Sequence, residues 1–393
     1  MPWKASTPMS ERMAFVSRLL AGERMSDLCA ECGISRKTGY KFRERYEKWG
    51  PAGLYDVSRR PRRSPGRTPS EIEQLLIEAR LAHPTWGPRK LVAIVSRSHR
   101  GITMPAPSTV GGILARAGLV KSRRRKNRVL RLGTVRSEAV GPNDIWCADY
   151  KGQFRLGNGR YCYPLTVTDQ ASRYILACEG FEAIDGEAAR AVFEDRFGRY
   201  GLPLAIRTDN GAPFASTGLF GLTRLSAFWL KLGIALERIE PGKPQQNGRH
   251  ERMHRTLKQE TTRPAAATLL GQQERFDEWT VTFNETRPHE ALEQKSPATV
   301  YAPSPRTYSM SGGLQYPLHD EVRLVSPSGH VRLLRTNKHS ATYLSAALGG
   351  ERVGIRELED GRWLVSFASL DLGRIDPGTM KLVAPDQEAT PDK

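Results

Sequence analysis

The sequence predicts a multidomain chain: N-terminal all-α helix-turn-helix modules, a central α/β core, and a small C-terminal β-barrel of SH3-like type. Three observations carry this. The 393 residues are too many for one ordinary hydrophobic core. The charge is polarised: the net +18 lies in residues 1–140, which hold 29 Lys+Arg against 11 Asp+Glu, while residues 141–393 hold 31 of each. The periodicity also changes twice, from helical spacing to short apolar runs at Asn143, and to short alternating strands from about Tyr316.

Composition excludes several classes. A hydrophobic content of 39% with 26% charged residues is that of a globular protein. No apolar run approaches the roughly 18 residues of a membrane span. The N-terminus places charges where a signal peptide would have its apolar stretch. The five cysteines, Cys29, Cys32, Cys147, Cys162 and Cys178, form no disulfide framework, which points to a reducing cytoplasm. A basic module joined to a neutral one is what a polyanion binder attached to a catalytic unit would look like, so nucleic acid is the expected partner.

Along residues 10–24, Met13, Val16 and Leu19 fall at helical spacing, with Ser10 able to cap. Ser26 is placed to cap a short second helix, Gly33 supplies a turn, and Ser35 is placed to cap a third. In that third helix Tyr40, Phe42 and Tyr46 alternate with Arg36, Lys37, Lys41, Arg43 and Arg45. Helix, glycine turn and basic helix make a helix-turn-helix pattern, whose second helix lies in a major groove. An ordinary bundle with a charged face would look similar, but the local charge excess favours DNA. Cys29 and Cys32 lack a second ligand pair, so helix packing accounts for them better than zinc.

Residues 56–68, with Arg62 and Arg63, read as a basic linker able to follow phosphates or a narrow groove. A second, winged helix-turn-helix module is expected over 69–120, with Ser70 and Ser108 as caps and Pro88 opening the middle helix. A second basic linker, 121–140, carries Arg123, Arg124, Arg125 and Lys126. The first module is expected over 1–55, the α/β core over 141–303, the small β domain over 315–385 and a disordered tail over 386–393.

Within the core, IWCADYKG, YCYPLTVTD and RYILACEGF read as three strands, DGEAARAVFEDRFGRYG as a helix ending at Gly201, and LAIRTD as a fourth strand. Three carboxylates then stand out: Asp149 inside the first strand, Asp209 closing the fourth, and Glu251 in a basic helical segment. Cleaving or transferring a phosphodiester near neutral pH needs an activated oxygen nucleophile and relief for the leaving oxygen. Two Mg²⁺ ions roughly 3.5–4 Å apart supply both, and such hard ions take carboxylate oxygens. Asp149 is expected to bridge both ions, with Asp209 holding one and Glu251 the other. A surface helix with a Glu–Arg pair four apart, worth about 0.2–0.5 kcal/mol, would also explain Glu251, but not the long polar loop PGKPQQNG before it. Arg255 and Lys258 share the arc of Glu251 and are expected on the phosphate backbone. Asp169, beside Ser172 and Arg173, reads as a turn and ion-pair residue, and His250 and His254 as groups that orient substrate.

IWCADYKG, RTDNGAPF and KPQQNGRHERMHRTLK together resemble the DDE integrase core shared by retroviral integrases and bacterial insertion-sequence transposases. The resemblance is closest over about residues 140–300, looser over 10–120, and slight beyond 316. It implies an RNase H-like core, Mg²⁺ dependence with Mn²⁺ as a substitute, 3′-end nicking by water, and strand transfer by the freed 3′-hydroxyl. It also implies at least a dimer assembled on paired inverted-repeat ends of double-stranded DNA, in a bacterial cytoplasm at the nucleoid. The triad carries over as Asp149, Asp209 and Glu251, with Lys258 at the basic position beyond the Glu. Two features depart from the pattern. Asp209 and Glu251 are separated by 41 residues, against roughly thirty-five in the usual motif, which fits an enlarged helix within STGLFGLTRLSAFWLKLG. The zinc-binding domain of retroviral integrases is replaced by basic helices, favouring a single-frame bacterial transposase. A catalytically silent DNA-binding regulator using the core as an oligomerisation scaffold is the alternative; three acids brought together at a cost in repulsion speak against it. A simple nuclease is less consistent with two modules for a defined duplex site.

Overall fold

A computed structural model describes residues 7–56, 66–120, 138–150, 152–239, 248–309, 313–333, 341–376 and 378–383. The chain divides into two compact units, Met1–Thr68 and Pro69–Lys393. No described helix is long and apolar enough to cross a membrane.

The first unit contains α1 (Pro8–Leu20), α2 (Met25–Glu31) and α3 (Arg36–Trp49), packed around Phe15, Val16, Leu28, Cys29 and Leu54. The cap of α1 is Thr7, with Ser10 at the third helical position of a capping box, so Ser10 answers the cap rather than forming it. Ser26 lies inside α2, whose cap, Arg24, makes no side-chain hydrogen bond. Ser35 caps α3 by accepting from the Thr38 amide. Gly39 sets the closeness of α2 and α3, because a Cβ there would come within 2.7 Å of the Cys29 and Met25 sulfurs. Cys29 is buried and Cys32 exposed, consistent with packing rather than ligation.

In the second unit, α4 (Ser70–Ala82), α5 (Pro88–Ser98) and α6 (Pro107–Arg116) enclose Leu76, Trp86, Leu91, Val95, Val110, Ile113 and Leu114. Their cap positions are Pro69, Gly87 and Ala106, so Ser70 and Ser108 fall within their helices. Beyond them lies a mixed sheet of β1 (Ile145–Tyr150), β2 (Phe154–Arg155), β3 (Tyr161–Asp169), β4 (Ile175–Phe181), β5 (Ala205–Thr208) and β6 (Ala235–Arg238). β3 pairs antiparallel with β1, β2 and β4, while β1–β5 and β5–β6 are parallel. One face packs on α7 (Gly186–Tyr200) and α8 (Arg224–Lys231) through Trp146, Ala148, Phe193, Phe197 and Trp229. The other packs on α9 (Gly248–Thr261) and α10 (Leu269–Val281) through Cys162, Cys178, Met253, Leu257 and Phe276. Gly201 ends α7 at φ 74°, where a Cβ would meet the Ser304 carbonyl oxygen at 2.6 Å.

β4 and β6 are edge strands of this sheet among the described residues, and side-chain amides cover outer backbone groups of β4. Gln273 accepts from the Gly180 amide at 2.8 Å and donates to the Cys178 carbonyl at 3.0 Å. Asn284 accepts from the Ile175 amide at 2.8 Å and donates to its carbonyl at 2.9 Å.

The C-terminal region forms an open sheet, not the expected barrel. β7 (Glu321–Leu324), β10 (Arg352–Glu357), β11 (Trp363–Phe367), β12 (Leu370–Ile375) and β13 (Leu382–Val383) lie in the order β13-β12-β11-β10-β7. β8 (His330–Arg332) and β9 (Ala341–Tyr343) pair separately, and among the described residues no pairing joins β13 to β7. The apolar core of this region includes Leu222, Ala227 and Leu230 from in and around α8, so it is continuous with the helix beside it. The segment read as a linker after residue 303 is packed at Arg306, which donates to the carbonyls of Leu232 and Gly233 at 3.1 and 2.9 Å.

The α4–α6 bundle is joined to the α9–α10 layer by a polar network. Glu260 accepts from Arg287 at 2.8 and 2.9 Å, from the Trp279 indole at 2.7 Å, and from the Thr85 hydroxyl. Arg287 lies over Trp86 at 5.7 Å and Phe283 at 5.5 Å. Arg89 pairs with Glu290. With side-chain exposures of 8% and 17%, the Arg287–Glu260 pair is largely desolvated, and deleting one partner leaves the other charge buried. Glu260→Ala should therefore lower unfolding free energy by about 3 kcal/mol in urea titrations of the full chain; a loss below about 1 kcal/mol would show the pair to be inert.

Candidate active site

Successive side chains of a strand point to opposite faces. On β1, Trp146, Ala148 and Tyr150 turn towards α7 and α8, which leaves Ile145, Cys147 and Asp149 on the face covered by α9. The β1–β5 register pairs Ile145 with Ala205, Trp146 with Ile206 and Cys147 with Arg207. The paired stretch ends at Cys147 and Arg207, two residues before Asp149 on β1 and two before Asp209, which follows β5. Asp209 is the residue after β5 and accepts from the Gly211 amide at 3.0 Å, in the tight turn that the Asn210–Gly211 pair provides. Arg207, on the same face one step below, is held by Glu237 at 2.6 Å.

α9 is fixed over this face by a buried polar chain. Its inward stripe is His250, Met253, His254, Leu257 and Thr261. The Thr166 hydroxyl on β3 lies 2.8 Å from His250 Nε2, 2.6 Å from His254 Nε2 and 3.1 Å from the Asp149 carbonyl oxygen. His250 Nδ1 lies 2.9 Å from the Thr168 hydroxyl, and burial lowers the His250 pKa to about 3, so the ring is neutral. The two imidazoles meet edge to face at 4.5 Å between centroids. His254 Nδ1 lies 3.8 Å from Asp149 Oδ2. Both histidines are buried, at 2% and 5% exposure, so they position the helix instead of orienting substrate as expected.

Asp149, His250 and His254 are the group of potential ligands that comes together among the described residues, with donor atoms within 4.8 Å of one another. Asp209 and Glu251 are not members of it. Glu251 is exposed in the first turn of α9, on the same flank as exposed Arg255 and Lys258. Asp169 is 1% exposed and accepts from the Asn143 amide, the Ser172 amide and the Ser172 hydroxyl at 2.7, 2.7 and 2.6 Å, which makes it a turn residue. Burial raises its pKa despite these bonds.

Arg36, Lys37 and Lys41 are exposed on α3 with Tyr40 between them, and Arg43 is exposed and paired with Glu47 at 2.7 Å. Arg62, Arg63, Arg123, Arg124, Arg125 and Lys126 lie outside the described residues. The roles of Thr166, Thr168 and His254 were not foreseen, although the spacing of residues 250, 254, 257 and 261 marks one face of a helix.

Integrase core domain descriptions match residues 139–244 and 232–297, a helix-turn-helix domain matches 11–62, and a homeodomain-like domain matches 38–114. A 31.7 kDa protein of insertion element IS407 from Burkholderia multivorans is 30% identical over 227 residues, covering 57% of this chain and 78% of the relative. A 39.2 kDa protein of insertion element IS476 from Xanthomonas euvesicatoria is 28% identical over 176 residues, covering 44% of this chain and about half, 49%, of that relative. Among solved structures, the HTLV-2 integrase catalytic core domain in complex with magnesium aligns at TM-score 0.34 and 17% identity, covering 42% of this chain and 99% of that one.

Thr166 supplies one hydroxyl to three partners with no solvent to replace it. Thr166→Val should destabilise the full chain by about 1–3 kcal/mol, read by urea denaturation; a change within about 0.5 kcal/mol would show that α9 is held by its apolar contacts alone.

Proposed function

This chain belongs to the integrase-core family found in bacterial insertion elements, and on that premise we propose that it is a transposase acting on the ends of such an element. In this reading it binds the terminal inverted repeats, nicks DNA at the 3′ ends with water, and joins the freed 3′-hydroxyls to target DNA. The observation that supports it is the parallel pairing of β1 with β5, the strand that carries Asp149 beside the strand that Asp209 follows. Two oxygen donors on rigid neighbouring strands fit a hard divalent ion.

Asp149, Asp209 and Glu251 would hold two Mg²⁺ ions, or Mn²⁺ in their place. Bound ions supply activation of the attacking oxygen and charge relief at the leaving 3′-oxygen. The protein supplies the rest. β1 and β5 fix two carboxylates at one level. Glu251 extends from the solvent side of α9, with Arg255 and Lys258 beside it to neutralise phosphates of the strand being cut. The packed layers on both sheet faces hold these groups still while DNA enters from the open flank. Arg36, Lys37, Lys41 and Arg43 on α3 would take duplex DNA. Arg62, Arg63 and Arg123 to Lys126 would track its backbone. The protein would act as at least a dimer, one copy on each element end, at the bacterial nucleoid. The domain limits read from the sequence, with a first module over 1–55 and a core over 141–303, are part of this proposal.

The direct assay incubates the full chain with duplexes carrying candidate element ends, with Mg²⁺ or with chelator, and resolves nicked and joined products on denaturing gels. Asp149→Asn should reduce both products to background while the shift of end DNA in gel retardation is unchanged; strand transfer by this variant would sink the assignment. Removing the charge of Arg36 and of Lys37 should each lower the slope of log binding constant against log salt by about 1. An unchanged slope would clear α3 of phosphate contact.

A further inference from the structure

Both flanks of α9 are basic, and the reading above uses only one of them. At about 100° of rotation per residue, His250, Met253, His254, Leu257 and Thr261 form the stripe turned to the sheet. Glu251, Arg255 and Lys258 lie to one side of that stripe. Arg249 and Arg252 lie to the other side, a turn apart and exposed. They stand near the start of the helix, at the positive end of its dipole, where a cation is unfavourable. Helix stability gives no reason for them.

The sheet sets a third cation beside this flank. His250 meets the Thr168 hydroxyl at 2.9 Å, which brings the start of α9 against the end of β3. The turn after β3 holds Arg173 at φ 67°, a conformation uncommon for a residue with a Cβ. Its amide donates to the Asp169 carbonyl at 3.0 Å, and its guanidinium donates to the Gln170 carbonyl. Burial lowers the Arg173 pKa to about 10, and the charges of Arg249 and Arg252 act in the same direction. Asp169 opposes that field, but its carboxylate is occupied by Asn143 and Ser172. Among the described residues no carboxylate lies within ion-pair distance of Arg173, Arg249 or Arg252.

The same turn looks towards the α4–α6 bundle. Burial lowers the His289 pKa to about 3, and Lys90 of α5, Arg287 and Arg173 all push it the same way, so these groups are neighbours. The acids of this seam are engaged, Glu260 by Arg287 and Glu290 by Arg89. Positive charge thus runs from the second helical module through Arg173 to the outer flank of α9.

We propose that Arg173, Arg249 and Arg252 form a second phosphate-binding stripe, which holds the backbone of the element-end duplex between the α4–α6 bundle and the site. This rests on the transposase reading. Duplex DNA gripped by the bundle has to cross this flank to reach α9, whereas target DNA has no need to pass the bundle. Guanidinium groups suit the task because they stay charged and can pair with phosphate through two N–H groups at once.

The test measures anisotropy of the full chain on a labelled duplex carrying a candidate element end, across a salt series without Mg²⁺. A duplex of unrelated sequence is run beside it, and nicking and joining are assayed separately with Mg²⁺. Arg249→Gln with Arg252→Gln should lower the slope of log binding constant against log salt by about 2, and reduce nicking and joining together. Adding Arg173→Gln should lower the slope by about 1 more. Arg249→Lys with Arg252→Lys, which keeps both charges, should retain the slope, and melting temperatures control for folding. An unchanged slope in the paired Gln variant would overturn the proposal; if nicking then still required Asp149, the transposase reading would stand. Normal end binding and nicking with joining alone reduced would also overturn it, by giving the stripe to target DNA. If the unaltered protein bound neither duplex, both the stripe and the transposase reading would fall.

Discussion

The geometry of the site depends on a single buried hydroxyl. α9 reaches the sheet with few apolar side chains, chiefly Met253 and Leu257, and two of its inward positions are histidines. Apolar burial is non-directional, so it would let such a helix slide or rotate without large loss. The Thr166 hydroxyl removes that freedom because it meets His250, His254 and the backbone of Asp149 at once. Inside a low-dielectric interior such a network is stiff when complete and costly when incomplete. The level of α9 over β1 and β3 is thereby set from the strand side, by a residue that sequence reading did not single out.

Much of this was legible in the sequence. The apolar runs around Asp149 and before Asp209 marked their strands correctly, and the Asn-Gly turn after Asp209 behaves as its composition requires. The helix α7 begins at Asp185 and ends at Gly201, as a cap and a left-handed terminator predict. The errors have physical causes. Ser70 and Ser108 each follow a proline, and proline's fixed φ starts or pre-organises the helix one residue earlier than a serine cap would. β2 and β6 escaped notice because strands of two and four residues carry too little alternation to detect. The C-terminal alternation revealed strands but not closure, since a barrel depends on which edges pair and the pattern within a strand does not specify that. The buried histidines were misread because their polarity suggested solvent, and their partners, Thr166 and Thr168, are distant in sequence.

The second helical bundle and the catalytic layer are joined by charges and aromatic faces more than by an oily seam. Arg287 lies between Trp86 and Phe283 while Glu260 holds its guanidinium from the side. Glu260 sits on α9, six residues beyond His254, which faces Asp149. The α4–α6 bundle and the residues that face the strands thus share one helix, α9.

The amide side chains of Gln273 and Asn284 have a bearing on how copies of this protein come together. A bare edge such as β4 is an invitation to strand addition between molecules. Here the Ile175 amide and carbonyl, the Cys178 carbonyl and the Gly180 amide are engaged by Gln273 of α10 and by Asn284 just beyond its end. Strand addition along this rim is therefore blocked by the chain's own side chains.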